Sequence, residues 1–211
     1  MKILYLDSVD STQTYLKNLI KKESVKVPYA VLSNIQTNGV GSRNNSWTGL
    51  EGNLFLSFAI ERDDLPDDLK LESASIYFAY LLKDILNKLG SKIWLKWPND
   101  FYIDNLKIGG MITSLQNSSL ICGVGLNLVH APENFAKLDI DISKIELLNL
   151  YIQKIEEKLS WKQVFSKYKL EFQKNKEFST HHKNFKISLK DASLQNDGSI
   201  VNNGERIYSL R

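Results

Sequence analysis

The sequence predicts an α+β protein with a small β piece at its C-terminal end. Tyr29–Gln36 and Asn53–Ile60 are strand-length apolar runs, and the second is apolar on both faces, which is typical of a central strand. Leu71–Leu89 repeats apolar residues at helical spacing and is followed by Gly90, so it predicts a long amphipathic helix.

The pattern changes from Phe185 onward. Short β-type runs there alternate with tight-turn signals at 196–198 and 202–204, which end in Asp-Gly and Asn-Gly. A β piece of this size is too small to be stable alone. We therefore predict a main domain over residues 1–180 and a small β domain over 181–211.

Polar caps predict where three further helices begin. Ser11 or Thr12 caps a helix through Lys22, and capping boxes open helices over 143–159 and from 160 to about 176. The His pair at 181–182 has no third metal ligand at a recognised spacing, so we interpret that segment as a linker.

Composition indicates an ordinary soluble globular protein. The 211 residues are 43% apolar and 24% charged, and the net charge of +3 permits a phosphate-bearing ligand without demanding nucleic acid. The single cysteine, Cys122, excludes an internal disulfide and lies in an apolar run, which favours a buried core role. No run is long enough for a signal peptide or a membrane span, so we expect a cytoplasmic protein.

The segment Ile93–Ile112 has the strongest functional signal. Pro98 favours an extended chain before it, the Asp-Asn pair at 104–105 predicts a turn, and Gly109-Gly110 lets a ligand approach the backbone. The hairpin would bring together Lys96, Asn99, Asp100 and Lys107. This set suits a polyanionic ligand beside a carboxylic acid. Spacing alone favours such a ligand site no more than a surface hairpin with solvated lysines.

The long loop Thr37–Gly52 has four glycines and connects two predicted strands. Loops of this length are usually functional or disordered. Arg43 can clamp a phosphate or carboxylate, and Trp47 can stack on a purine; the alternative is a mobile loop with a solvated arginine. Further along, the Gly123-Val-Gly125-Leu-Asn127 run puts glycines inside a strand, which suggests close approach by a ligand or another backbone.

Several separated motifs together resemble those of one known family. Lys96-Trp97-Pro98-Asn99-Asp100 followed by Lys107-Ile108-Gly109-Gly110 resembles the hallmark of biotin protein ligases. Other matching segments are Asp10-Ser11-Thr12, Gln36, the Gly39–Trp47 loop and Gly123–Asn127. The resemblance covers residues 5 to 130 closely and the rest loosely.

The resemblance implies a fold related to class II aminoacyl-tRNA synthetases. The catalytic domain of that biotin/lipoyl ligase class has a central mixed or antiparallel sheet, and a short SH3-like β domain follows it. Strand order is not predicted by one sequence.

The resemblance also implies an activity. Biotin and ATP would form biotinyl-5′-adenylate with Mg²⁺ assisting, and a lysine of a biotin carboxyl carrier domain would then accept the biotin. The carrier would belong to a biotin-dependent carboxylase. No covalent enzyme intermediate is needed.

Residue roles follow from the same resemblance. The catalytic residues would be Lys107, Arg43 and Asp100. Biotin would be bound by Ser11, Thr12, Gln36, Gly39, Lys107 and Gly110. ATP and the adenylate would be bound by Arg43, Trp47, Lys96, Asn99 and Asn127.

The glycine-rich loop departs from the family pattern. Val40, Ser42 and Asn45 stand where arginines are usual, so only Arg43 remains. Either Arg43 takes over the phosphate contacts, or backbone N–H groups and Lys107 do more of this work. We expect the loop Thr37–Gly52 to be disordered or open without ligand and to close over the adenylate.

Other roles are less favoured. The catalytic segment begins near Met1, so we expect no DNA-binding repressor domain, no DNA partner and no membrane partner, while a homodimer is allowed. The alternatives are a lipoate-type protein ligase, whose double-arginine, triple-glycine motif is missing, and a non-catalytic biotin- or nucleotide-binding regulator.

Overall fold

The computed structural model describes residues 1–42, 45–47, 49–183 and 185–209. The helices are α1 (Thr12–Lys21), α2 (Ala74–Lys88), α3 (Lys144–Glu156) and α4 (Trp161–Glu171). The strands up to α3 are β1 (Lys2–Val9), β2 (Tyr29–Gln36), β3 (Gly39–Val40), β4 (Ser46–Trp47), β5 (Leu54–Glu61), β6 (Trp94–Lys96), β7 (Asp100–Ile103), β8 (Leu106–Gln116) and β9 (Ser119–Leu126). The later strands are β10 (Ser179–His182), β11 (Phe185–Ser188), β12 (Ser193–Leu194), β13 (Ile200–Asn202) and β14 (Glu205–Ile207).

One mixed sheet organises the fold. Its strand order is β1-β2-β5-β9-β8-β7-β6, and β1 pairs with β2 in parallel while the other pairs are antiparallel. The prediction of an α+β fold with a mixed or antiparallel sheet is therefore confirmed.

Helices cover both faces of this sheet. Leu16 and Ile20 of α1 pack with Val31 and Ile121 on one face. The larger core on the other face includes the apolar residues of α2, α3 and α4. β5 is buried on both faces, as its sequence predicts, and Cys122 is buried with the pKa of its thiol raised by burial.

Helix starts follow the predicted caps, whereas some helix ends differ. Ser11 caps α1, Ser143 caps α3, and Ser160 forms a complete capping box at α4. The helix predicted to run through residue 159 ends earlier, and Lys158 beyond it has a φ of 47°. The helix predicted to reach residue 176 ends at Glu171 and continues as a 3-10 helix.

The C-terminal strands form two small sheets. β10 pairs with β11, and β12, β13 and β14 form a three-stranded sheet whose last turn has positive φ at Asn203 and Gly204. The linker interpretation of residues 180–182 is wrong, because their backbone pairs with β11. Ile200 and Ile207 are buried in the larger core. The division at residue 180 and the SH3-like character stay predictions.

The glycine-rich loop contains a short hairpin. Gly39 pairs with Trp47 and Val40 with Ser46, so this part of the predicted loop is regular. Arg43 lies outside the described residues, and its predicted roles stay predictions. No helix of the described chain is long and apolar enough to cross a membrane.

Candidate active site

A cavity of about 480 Å³ joins the start of α1, the β3–β4 hairpin and strands β5, β8 and β9. Its lining includes eight of the predicted site residues: Ser11, Thr12, Gln36, Trp47, Asn99, Asp100, Lys107 and Gly110. Residues that are far apart in sequence therefore line one cavity.

The first end of the cavity is neutral and hydrogen-bonded. The backbone N–H and the hydroxyl of Thr12 both donate to Gln36 Oε1, at 2.8 and 3.0 Å. Thr12 Oγ1 also lies 2.9 Å from Ser57 Oγ, and all three residues are buried. Since Gln36 Oε1 already accepts two hydrogen bonds, its Nε2 is the group left to donate. We call Thr12, Gln36 and Ser57 the neutral end.

Gln13 adds a buried acceptor beside the neutral end. Its Nε2 donates to Ser114 Oγ at 3.2 Å, while its Oε1 is buried without a hydrogen-bond partner in the part of the chain described. A Cβ at Gly123 would lie only 2.5 Å from that oxygen. A buried polar atom without a partner is costly, so this atom is a candidate ligand contact.

The opposite end carries charge. Lys107 Nζ lies 2.7 Å from Asp100 Oδ1, and Lys96 Nζ lies 3.8 Å from Asp100 Oδ2. The strand register explains this, because Lys96 pairs with Asp100 across β6–β7 and Asp100 pairs with Gly110 across β7–β8. The predicted hairpin cluster is therefore present. We call Lys96, Asp100 and Lys107 the charged end; Lys96 is outside the cavity lining, whereas Asp100 and Lys107 belong to it. With one carboxylate and two ammonium groups, the charged end favours an anion.

Tyr102 supports the charged end from behind. Lys96 Nζ lies 5.3 Å from the centre of the Tyr102 ring, a cation–π geometry. Burial, with the Asp100 carboxylate adding to it, raises the pKa of Tyr102 to about 12. The phenol therefore stays neutral at pH 7 and adds no negative charge.

Asn99 forms a rigid corner between the strands. Its side-chain Nδ2 donates to Met111 O, and Met111 N donates to Asn99 O at 2.9 Å. Asn99 is buried and also lines the cavity. The corner thus fixes where Asp100 begins β7.

Asn127 has a different place from the one predicted for a ligand contact. It is absent from the cavity lining described above, and its Nδ2 donates to Ala136 O at 3.1 Å. Ala136 N in turn donates to Lys107 O at 3.0 Å. Asn127 therefore braces the segment that holds the Lys107 backbone, and its contact with the adenylate stays a prediction.

Trp47 covers part of the cavity. A Cβ at Gly125 would lie 2.7 Å from the Trp47 indole, so the ring rests directly on this glycine. The Trp47 ring also meets Phe135 edge-on, with centroids 6.3 Å apart. Gly39 is outside the lining, and it serves the hairpin, because a Cβ there would lie 2.6 Å from Trp47 O.

Sequence reasoning named eight of the residues that line the cavity and missed three polar ones, Gln13, Ser42 and Ser57. Ser57 had a signal, since it is the polar residue within the otherwise apolar run Leu54–Ile60. Gln13 follows Ser11 and Thr12 in the first turn of the helix, which places it at the same helix start.

The chain belongs to the biotin/lipoate A/B protein ligase family, whose model matches residues 5–127. A similar solved structure is that of biotin acetyl coenzyme A carboxylase synthetase from Helicobacter pylori with bound biotinylated ATP. It is 39% identical, has a TM-score of 0.94, and the match covers 98% of this chain and 99% of that one.

Other similar proteins are also named as biotin protein ligases or as a ligase/repressor. The fold resembles that of the Aquifex aeolicus biotin protein ligase in complex with biotin and ATP, with a TM-score of 0.79 and 24% identity over 100% of this chain and 96% of that one. Biotin–protein ligase 2 of Arabidopsis thaliana is 35% identical over 49% of this chain and 34% of its own length. The bifunctional ligase/repressor BirA of Escherichia coli is 29% identical over 60% of this chain and 40% of its own. The chain therefore matches well under half the length of these two curated relatives.

Proposed function

We propose that this chain is an ATP-dependent biotin–protein ligase. The observation that carries the proposal is a single cavity with a buried neutral end and a charged end. The neutral end suits the uncharged ureido head of biotin, and the charged end suits a carboxylate next to phosphates. The names of the family and of the solved relatives above support the same activity.

The neutral end would bind the ureido ring. Gln36 Nε2 is the donor left for the ureido carbonyl, and Gln13 Oε1 is the acceptor left for a ureido N–H. Ser11 and Thr12 complete this wall at the start of α1. Hydrogen bonds among the wall residues hold it in place before ligand enters, which lowers the entropic cost of binding.

Lys107 would carry the first chemical step. A biotin carboxylate oxygen attacks the α-phosphorus of ATP, and the bond from that phosphorus to pyrophosphate breaks. The ammonium group of Lys107 would lie between the two anions, reduce their repulsion and stabilise the charge that develops. Lys107 is held by Asp100 at 2.7 Å, and Lys96 remains beside the same carboxylate. Lys107 can therefore turn to the ligand without leaving Asp100 isolated.

The second step needs no further nucleophile from the protein. The amine nitrogen of a carrier lysine attacks the acyl carbon of biotinyl-5′-adenylate, AMP leaves, and the amine loses a proton. Asp100 is the carboxylate near the reacting groups, and we assign it the orientation of the incoming amine. Gly110 gives the space for this approach, since a Cβ there would lie 3.2 Å from Asp100 Oδ1.

The nucleotide would occupy the side of the cavity under Trp47. The indole can cover adenine, and Asn99 gives a polar contact. Lys96 does not line the cavity, and it would add positive charge from its place beside Asp100. Magnesium fits as a companion of the ATP phosphates, because it prefers phosphate and water oxygens to a protein cage. Within the described residues, no group of three His, Cys, Asp or Glu side chains could hold a metal.

Biotin-dependent exchange of labelled pyrophosphate into ATP tests the proposal. We expect exchange with biotin and none with lipoate, because a dithiolane ring cannot satisfy Gln13 and Gln36. Equal exchange with lipoate would favour the lipoate-type ligase. Biotin binding without any exchange would favour the non-catalytic regulator.

A further inference from the structure

Trp97, inside the Lys-Trp-Pro-Asn-Asp motif, is held by residues from the C-terminal third of the chain. Its backbone N–H donates to Asn175 Oδ1 at 2.6 Å, and its indole Nε1 donates to Gly198 O at 2.8 Å. Trp97 and Asn175 are both completely buried. Both hydrogen-bond donors of Trp97 therefore depend on segments that lie outside the cavity.

Trp97 is also next to the charged end. Lys96 precedes it, and Asn99 follows two residues later, where it forms the corner with Met111. Because the corner sets the start of β7, a shift of the Trp97 backbone moves Lys96 and Asp100 together. The ion pair of Asp100 with Lys107 then changes its geometry.

The turn that holds the indole is itself well fixed. Gly198 has a φ of 78°, and a Cβ there would lie 3.0 Å from Ile76 of α2 and 3.2 Å from Trp161. Asp197 accepts from Ser199 Oγ at 2.6 Å and pairs with Arg206 at 2.7 Å. The turn thus presents the Gly198 carbonyl as a fixed acceptor.

The Asn175 side chain has no hydrogen bond within its own segment among the residues described. It lies in the 3-10 helix Phe172–Glu177, and its Nδ2 is buried without a hydrogen-bond partner among the residues described. The one hydrogen bond found for the Asn175 side chain is therefore the one from Trp97. An asparagine buried for one contact to the motif is unusual unless that contact matters.

We propose that Asn175 is a positioning residue for adenylate formation. It acts through Trp97 on the corner that Asn99 forms with Met111, and so on the positions of Lys96 and Asp100. The C-terminal segments are thereby part of the catalytic architecture and do not merely cover the core. This inference rests on the proposed ligase function. It concerns how the charged end is held, and not which ligand the cavity takes.

Asn175→Leu is the main test, because leucine keeps the volume and removes the acceptor. We expect kcat for biotin-dependent pyrophosphate exchange to fall about tenfold. We expect the KM for biotin to change by less than about twofold, since Thr12 and Gln36 are fixed independently. Asn175→Asp keeps an oxygen acceptor for Trp97 and should restore most of kcat.

Tyr151→Phe is the matched control. Tyr151 is also completely buried, and its hydroxyl donates to Phe78 O at 2.8 Å, away from the motif. It should lose a similar amount of thermal stability and keep wild-type kcat. An equal loss of kcat in both variants, or wild-type kcat in Asn175→Leu, would overturn the proposal.

Trp97→Phe provides an independent arm if Asn175→Leu does not fold. It removes the indole donor to Gly198 and should lower kcat without raising the KM for biotin. Hydrogen exchange of residues 97–111 should be faster in either variant than in Tyr151→Phe; unchanged exchange there would contradict the link. If the wild type itself shows no pyrophosphate exchange, the proposed function fails, while hydrogen exchange still decides whether Asn175 holds the corner.

Discussion

The neutral end and the charged end of the cavity differ in how they are exposed and how they are held. Thr12 and Gln36 are 3% and 9% exposed, and they are hydrogen-bonded to each other. The side chains of Lys107 and Asp100, by contrast, are 29% and 22% exposed. A buried neutral network has one arrangement, because breaking it would leave buried polar groups without hydrogen-bond partners. A solvent-reached ion pair is weaker and can exchange partners. We therefore assign recognition to the neutral end and chemistry to the charged end.

Lys107→Ala should give the largest effect of these substitutions. A small effect would contradict the assignment of the chemistry to the charged end. If the Lys107 ammonium bridges carboxylate and phosphate as proposed, its removal should cost about 3 kcal/mol or more of transition-state stabilisation, a loss of about a hundredfold or more in the pyrophosphate exchange rate. Lys144→Ala, which removes a half-buried lysine that donates to Asn34, is the control. A rate for Lys107→Ala within about twofold of wild type would remove Lys107 from the mechanism.

Thr12→Val tests the neutral end. Valine keeps the shape but removes the hydroxyl bonded to Gln36 and Ser57, so the wall loses one donor and one acceptor. The KM for biotin should rise about tenfold, since a lost buried hydrogen bond costs on the order of 1–2 kcal/mol. The kcat should stay near wild type, and steady-state exchange kinetics separate the two. A drop in kcat with unchanged KM would mean that the two ends are not separable.

Gly125→Ala sharpens the assignment of the nucleotide side. The added methyl would press on the Trp47 indole, which lies 2.7 Å from the position of the new Cβ, so the ring must move. We expect the KM for ATP to rise about fivefold and biotin binding to be unchanged, which is a loss of about 1 kcal/mol of stacking. Calorimetric titration with biotin alone is the control. Weakened biotin binding would contradict the assignment of Trp47 to the nucleotide side of the cavity.

Arg43→Ala should give the smallest effect. If this residue replaces the missing loop arginines, its removal should speed escape of the adenylate about threefold, as expected for the loss of one ion-pair contact. Release of labelled adenylate in a stopped-flow or filter assay measures it. Unchanged retention would assign the task to backbone N–H groups of the loop.

Local sequence predicted the charged end better than the neutral end. Lys96, Asp100 and Lys107 lie within one hairpin, so strand and turn signals over twenty residues were enough to bring them together. Ser57 and Gln13 reach the cavity because β5 lies between β2 and β9 with α1 across it. That order depends on long-range pairing, which periodicity within a segment does not encode.

The C-terminal region shows the same limit. Its hairpin turns were predicted from Asn-Gly and Asp-Gly pairs, and Gly198 and Gly204 have positive φ as such turns require. The polar residues 180–182 predict a linker but belong to a strand, because the pairing partner at 185–188 determines their structure. The contact of Asn175 with Trp97 joins residues 78 positions apart and had no local signal.

The most direct measurement of the central claim is the mass of a biotin carboxyl carrier domain after incubation with the protein, ATP and Mg²⁺. With biotin, the account predicts a mass increase of one biotinyl group on one lysine, and no increase with lipoate or without ATP. The Lys107→Ala variant should leave the carrier unmodified over the same time. An unmodified carrier with the wild-type protein, or one that gains a lipoyl group instead, would contradict the account.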